Sequence, residues 1–394
     1  CLKFTVNRAD ISGKVTHLSF QQYTGFQLLN ATGDFRINEK QLVFNNALVV
    51  TPSSHLFLDL AFSYAHWESY ASFLDSVKII ANVRPSTLNT EDIAFFVPSL
   101  KGMKNSLILK GNVHGNVNDI SLRNMHLNVV KNTFVEGDFC LKNVTDFQHL
   151  VMNIDLQHSN VDFAEISAIS LPKQKQITLP KTLQQLSDVQ LTGTFAGKLT
   201  QFETHLTLTS SCCAANINLA TSESQEQIFY KGDIALSHLN LTQLVTEQEV
   251  LRNVSGSTQI QGTASHPFNT NDNFIESLHA EITGTINQLQ IKEYNYQNID
   301  FNGTYLHKNY EAHLNSKDPN LQFLLDGAAN FTGKTPSYNA ALTTSHFALG
   351  EVGKHFKNID STHAKGFDKL IYFVQKHSDA NLSLRSLKIN LTGS

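Results

Sequence analysis

Apolar and polar residues alternate with a period of two along most of the chain. Between residues 321 and 331, Leu321, Phe323, Leu325, Gly327, Ala329 and Phe331 fall on one side, with mostly polar residues on the other. Successive side chains of a strand point to opposite faces, so this pattern predicts strands with one apolar and one wet face. The same spacing recurs in Leu107, Leu109, Gly111 and Val113, in Met152, Ile154 and Leu156, in Leu206 and Leu208, in Ile217 and Leu219, and in Tyr310, Ala312 and Leu314. Asn, Gly, Asp and Ser clusters at 116–119, 269–273 and 316–320 separate the runs and supply turn chemistry. A helix is expected at 65–74, where Trp67, Tyr70, Phe73 and Leu74 have helical spacing. Shorter helical turns are expected after Pro98 and Pro180 and over 241–245. So few helices do not suit a parallel α/β fold, and the pattern predicts an all-β class: a repetitive antiparallel sheet braced by a few short helices.

A strand carrying two close glycines recurs. Leu109-Lys110-Gly111-Asn112-Val113-His114-Gly115 is matched by Leu191-Thr192-Gly193-Thr194-Phe195-Ala196-Gly197, and more loosely by Ile260-Gln261-Gly262 and Ile282-Thr283-Gly284. Glycine inside a strand weakens it and marks a bend, a bulge or a close backbone approach. Placed at matched positions, it would curl a wide sheet the same way in every unit. The repeats divide the chain into related β units: 1–75 ending in the short helix, 76–190 with the Gly-x-x-x-Gly strand, 191–355 repeating that strand, and 356–394 opening a further unit. At 394 residues the chain exceeds the roughly 250 to 300 at which one core stops growing, as a repetitive architecture allows.

A long run of half-apolar strands must close into a barrel, pack on a second sheet, or leave its apolar face curved around something else. Short strands and an irregular period speak against a regular barrel. Charged residues make up 16% of the chain, against roughly 25% in typical soluble domains; Asn, Ser, Thr, Gln and His replace them, as on a neutral polar strand face. Twenty-six Phe against one Trp fit an inner face of rings without hydrogen-bonding groups, as hydrocarbon contents require. The expected groove lining is Leu107, Leu109, Val113, Leu127, Val129, Phe139, Leu141, Ile154, Leu156, Leu206, Leu208, Ile217, Leu219, Leu321, Phe323, Leu325 and Phe331. An ordinary sandwich core is the competing explanation of the same stripes.

Charge and motifs narrow the function classes. A net charge of −4 and a pI near 6.5 give no basic field for a phosphate backbone, so nucleic acid is not an expected partner. Cys1, Cys140, Cys212 and Cys213 have neither disulfide-framework nor metal spacing. No apolar run approaches the roughly 20 residues of a membrane helix, so membranes are expected to be met through segments outside this sequence. The chain reads as a fragment: residues 1–6 already alternate like a strand, no initiator Met precedes them, and 391–394 break off just after another strand. Eight Asn-x-Ser/Thr triplets, including Asn30, Asn143, Asn240, Asn302 and Asn381, are what chance gives in so Asn-, Ser- and Thr-rich a chain. A His-Glu-x-x-His pair, a Gly-x-Ser-x-Gly elbow, a phosphate-binding loop and a dinucleotide fingerprint are all missing from the sequence. His114, His126, His149 and His158 lack ligand spacing, and 269–273 lacks the central Gly and terminal acid of a calcium loop. No catalytic residue, metal or cofactor is therefore expected. Two rivals remain: an extracellular adhesin or structural stalk, and a polysaccharide-active β-helix enzyme, whose coils would have short, regular lengths.

Several of these segments, in their order, resemble a known family. Residues 65–74 with Trp67 and Phe73, then 77–83, the turn from Asp92 through Pro98 to Leu100, the 109–115 strand and 117–129 are similar to the Bacteroidota versions of the TamB proteins, the translocation and assembly module subunits related to AsmA. Residues 179–186 leading into 191–197, Tyr230-Lys231-Gly232, and 301–331 with Gly303, Asp318 and Leu321 look like the same pattern. The resemblance spans about 57–349 and contains no catalytic signature. It implies an elongated, taco-like β-groove, anchored in the inner membrane and crossing the periplasm. It also implies a role in phospholipid movement and outer-membrane protein assembly, with phospholipid acyl chains and an outer-membrane β-barrel assembly protein as partners.

Overall fold

The structure is a computed structural model that describes residues 2–7, 10–23, 25–96, 100–170, 179, 183–224, 227–244, 251–265, 277–291, 293–333, 335–348, 383–384 and 387–393. It is all-β, with 70% of residues in strands that form antiparallel sheet not closed into a barrel. Two compact units divide the chain, Cys1–Leu199 and Thr200–Ser394. Unit 1 holds β1 (Leu2–Asn7), β2 (Asp10–Gln21), β3 (Gln27–Asn38), β4 (Gln41–Val50), β5 (His55–Ser63), β6 (Lys78–Asn89), β7 (Ser106–Gly115), β8 (Asp119–Asn128), β9 (Phe134–Lys142), β10 (Val151–Val161) and β11 (Val189–Gly197). Each pairs antiparallel with the next. Unit 2 holds β12 (Phe202–Thr209), β13 (Cys213–Glu223), β14 (Gln227–Asn240), β15 (Leu251–Ser265), β16 (His279–Ile291), β17 (Tyr294–Leu306), β18 (Asn309–Lys317), β19 (Leu321–Asn330), β20 (Ser337–Ala348), β21 (Ser383–Leu384) and β22 (Leu387–Gly393). The same succession runs from β12 to β20, which then pairs with both β21 and β22. A β-helix stacks parallel strands, so this antiparallel meander removes the β-helix alternative.

The expected turn chemistry is in place where it can be seen. The Asn116 side chain accepts the Asp119 N–H (2.7 Å) between β7 and β8. Between β18 and β19, Asp318 accepts from the N–H groups of Asn320 (2.9 Å) and Leu321 (3.1 Å). The tight turn joining β17 to β18 has His307 and Lys308 both at positive φ (48° and 64°), a geometry that usually selects Asn or Gly. Here the Asn309 amide stands in, donating to the Leu306 and His307 carbonyls at 3.1 and 3.3 Å. Residues 269–273 lie outside the described residues.

The 65–74 segment does wind into helix, as a 3-10 turn at Trp67–Ser72 followed by one α-turn at Phe73–Ser76. Short helices also occupy Leu241–Leu244 and, after Pro180, Leu183–Gln185. Pro98 itself lies outside the described residues. A 3-10 turn does follow it at Leu100, where the Met103 N–H donates to the Leu100 carbonyl (3.2 Å). Two helices were not signalled by the pattern: Thr90–Phe96, which occupies part of the 92–100 segment read as a turn, and Phe163–Ile166. Both are only one or two turns long and start from side-chain caps, Asn89 accepting the Glu91 N–H (2.9 Å) and Asp162 that of Ala164 (3.0 Å). Buried residues gather in small clusters, among them Ala47, Leu58 and Ala81 in unit 1 and Tyr294, Tyr296, Ile299 and Phe347 in unit 2, while others such as Val77 and Val189 are buried outside them. No helix among the described residues is long and apolar enough to cross a membrane.

Candidate functional site

Directly paired residues of an antiparallel sheet point to the same side, so register alone sorts every side chain onto one of two faces. In unit 1 one row crosses nine strands without a polar member: Phe35, Phe44, Leu60, Ala81, Val113, Leu122, Phe139, Ile154 and Phe195. A second runs beside it through Ile37, Leu42, Phe62, Ile79, Gly115, Ile120, Leu141, Met152 and Gly197. Unit 2 has a corresponding row of Leu206, Ile217, Ile234, Thr258, Gly284, Phe301, Leu314, Leu325 and Leu342. One position along, on the opposite face, lies an exposed and wholly polar row of His205, Asn218, Asp233, Gln259, Thr283, Asn302, His313 and Asp326.

The apolar rows are only half-buried. Of the nine residues of the first row in unit 1 only Ala81 is fully buried, and in unit 2 none is. Side chains in a packed interior touch neighbours on all sides, whereas these have lateral neighbours along the sheet and an open side. A cavity of about 520 Å³ opens on the apolar side of unit 2, against Ile234, Leu236, Ile282, Phe301, Tyr310 and Leu314 among others. Another, of about 690 Å³, lies against Asp233, Gln259, Thr283, Asn302, His313 and Asp326 of the polar row.

Two bulges keep unit 1's face continuous. Leu122 and Leu127 are five apart in β8, so a regular strand would send them to opposite sides, yet both pair with residues of the apolar face. The extra residue is taken up around Asn124, whose φ of 51° is left-handed and whose N–H donates to Asp138 (2.8 Å). β4 does the same around Asn46 (φ 50°), which donates to Asp59 (2.7 Å). Opposite the β8 bulge sits Gly111 at φ 147°, where a Cβ would collide with Met125 and come within 3.0 Å of the Asn124 carbonyl oxygen. The paired glycines read from the sequence share this geometry in both strands: Gly111 and Gly115 in β7, and Gly193 and Gly197 in β11, all have positive φ. The looser matches, Gly262 and Gly284, do not.

Fifteen of the seventeen residues proposed as lining, in two sets by unit, lie half-buried: Leu107, Val113, Leu127, Val129, Phe139, Leu141, Ile154 and Leu156, then Leu206, Leu208, Ile217, Leu219, Leu321, Phe323 and Leu325. Register puts the strand residues among them on the apolar face of their own unit; Val129 falls just past β8, at the hairpin tip. Leu109 is buried instead, at 8% exposure, against Leu127 and Ser86. Phe331 is 49% exposed because β19 ends at Asn330, and its ring stands edge-on to Tyr310 at 5.5 Å. Sequence reasoning missed Phe35, Phe44, Leu60, Leu122, Phe195, Ile234, Phe301 and Leu342. The signal that would have found the β4 and β8 members is an Asn breaking the alternation two residues after an apolar one.

At one end of unit 1's face the short helix supplies a ring cluster. Phe62 meets Phe73 edge-on at 5.5 Å, and the contacts continue to Tyr70 (6.0 Å), Trp67 (6.2 Å) and Tyr64 (5.1 Å from Trp67). Burial, with Tyr64 alongside, pushes the Tyr70 phenol up to about 12. Burial likewise raises Tyr230, whose hydroxyl donates to the His279 carbonyl (2.7 Å), and Tyr296. Histidines pair across strands or turns with single carboxylates, His126 with Glu136 (2.5 Å) and His313 with Asp326 (2.6 Å). Among the described residues no three His, Cys, Asp or Glu side chains converge as a metal site would need. Compared with family models, curated proteins and solved structures, the chain has no match in any of the three.

Proposed function

We propose that this chain is the periplasmic segment of an inner-membrane-anchored envelope protein of the TamB kind, its sheet curled into a taco-like groove that carries phospholipid acyl chains between the inner and outer membranes. In this reading it is no enzyme; its apolar face solvates hydrocarbon, and an outer-membrane β-barrel assembly protein is its partner. The single observation carrying the reading is that a predominantly apolar row nine strands wide stays half-exposed at all but one position in unit 1 and at every position in unit 2. A sandwich core would bury such rows completely against a second sheet about 10 Å away. Each methylene taken from water onto such a face contributes about 0.8 kcal/mol, without requiring a particular lipid.

The test is to purify the protein, extract it and measure bound phospholipid by mass spectrometry. Leu208→Asp and Phe323→Asp, on the apolar face of unit 2, should lower the lipid recovered several-fold while thermal unfolding stays close to that of the parent. His205→Asp, on the polar face, should change neither. A parent protein free of lipid, or apolar-face variants that unfold globally, would favour an ordinary closed core.

A further inference from the structure

Two successive four-strand blocks of unit 1 carry the same special interactions at matched positions. In β3 to β6, Gly33 (φ 151°) lies against the bulge at Asn46, whose N–H is taken by Asp59, and Ser86 accepts the Phe57 N–H at 2.8 Å. In β7 to β10, Gly111 (φ 147°) lies against the bulge at Asn124, whose N–H is taken by Asp138, and Ser159 accepts the Glu136 N–H at 3.1 Å. Each block then ends in a capped short helix whose acid reaches back to the hairpin tip between the block's second and third strands. Asp92 accepts from the hydroxyls of Thr51 (2.6 Å) and Ser54, and Glu165 from that of Thr133 (2.8 Å). The first backbone N–H of each helix makes an equivalent bond as well, Thr90 to the Asn105 carbonyl and Phe163 to that of Leu186, both at 2.9 Å.

The spacing is as regular as the contacts. Gly33 and Gly111 are 78 residues apart, as are Asn46 and Asn124; Asp59 and Asp138 are 79 apart; Ser86 and Ser159, like Asp92 and Glu165, are 73 apart. The main change in offset falls in the link between third and fourth strands, residues 64–77 in one block and 143–150 in the other. Side chains keep their rows too. Phe35 and Val113, Phe44 and Leu122, Leu60 and Phe139, and Ala81 and Ile154 are equivalent members of one apolar row.

We propose that the two blocks are interchangeable copies of one module, and that the module is the step in which the protein's apolar face is lengthened or shortened. An Asx bulge resets the face within each copy, and the acid of the short helix pins the hairpin tip, so a copy brings its own means of staying in register. Removing one copy shortens the sheet by four strands, roughly 19 Å at the usual strand spacing. The inference stands apart from the lipid reading, because it concerns folding and register alone.

The experiment deletes residues 33–110 from the full chain, joining Thr32 to Gly111 and so replacing one module glycine by its equivalent. A companion deletion of residues 33–111 differs by a single residue and throws the downstream apolar side chains onto the polar face. The first variant should stay soluble, keep its β-type circular dichroism and melt cooperatively within about 5 °C of the parent; the second should aggregate or melt far lower. A finer pair replaces residues 41–50 with the sequence of 119–128, in register and shifted by one. Equal loss in the in-register and shifted members of both pairs overturns the proposal. Lipid recovery from the folded 33–110 deletion is scored separately, so loss of lipid with an intact fold counts against the transport reading and leaves the module standing.

Discussion

The central apolar rows of the two units differ in bulk. In unit 1 every one of the nine positions carries a hydrocarbon side chain, whereas the unit 2 row includes Thr258 and Gly284. Unit 1 keeps its row through bulges and glycines at positive φ, which let large side chains interleave with backbone that has none. In unit 2 the glycine is room for a neighbour: a Cβ on Gly284 would stand 2.9 Å from the Phe301 ring. The 520 Å³ cavity lies in this thinner region. The contrast teaches that an apolar face can be kept continuous in two ways, by resetting backbone register or by letting rings lie over gaps.

Substitutions at glycine should separate the two plans most sharply. Gly111→Val in unit 1 adds bulk against Met125 at a left-handed backbone position, and about 3 kcal/mol or more of stability should be lost. Gly327→Ala in unit 2 meets no heavy atom nearer than 3.9 Å and should change stability by no more than about 0.5 kcal/mol, if anything upward. Chemical unfolding followed by hydrogen exchange of peptides from each unit measures both; equal effects would erase the distinction.

A smaller effect is expected at Asp318, the buried polar anchor of unit 2. It is 1% exposed and accepts from the Tyr294 hydroxyl (2.7 Å) and from the N–H groups of Gln297 (2.9 Å), Asn320 and Leu321. Asp318→Ala leaves those donors without an acceptor and should cost about 2 kcal/mol, with exchange protection falling in β17 to β19 and retained in unit 1. Loss of protection in unit 1 as well would show the units unfolding as one.

The smallest expected difference is in acid and salt. The Asn124 N–H, with the Arg123 guanidinium, holds Asp138 below the usual carboxylate range, while Lys317, with the Thr285 hydroxyl, does so for Asp300. A lowered folded-state pKa gives stability that is present above the ordinary value and lost as pH falls through the lowered one. Both units should therefore weaken below about pH 4. Salt screens the exposed Lys317–Asp300 pair far more than a backbone hydrogen bond, so 1 M salt should blunt the acid sensitivity contributed by Asp300 more than that contributed by Asp138, whose first support is the Asn124 N–H. Melting curves across pH at two ionic strengths test this.

Most of the strand succession was legible in the sequence because alternation is a one-dimensional signal, and Leu321 to Leu325 illustrates it. Unit 1's row was only half legible. Phe44 and Ala47, like Leu122 and Met125, are three apart yet share a face, and a period-two reading discards one of each pair. What restores them is a left-handed Asn held by an Asp from the next strand, a contact 13 or 14 residues away in sequence that no local pattern records. The Thr90–Phe96 helix was hidden for a similar reason: at seven residues it is too short for periodicity, and its positioning comes from Asp92 reaching hydroxyls about forty residues back. Phe331 falls one residue beyond β19 because alternation has no marker for a strand's last residue.

The pairing order carries a kinetic consequence. Within each unit, and up to β20, each strand after the first needs only the one before it as a template, so a nascent chain emerging N-terminus first from a ribosome or a translocation pore finds its docking edge already waiting. Growth by one hairpin at a time keeps loop closures short and rates high for an all-β protein. Each unit can mature while its chain is still threaded, with one growing edge to be shielded at any moment.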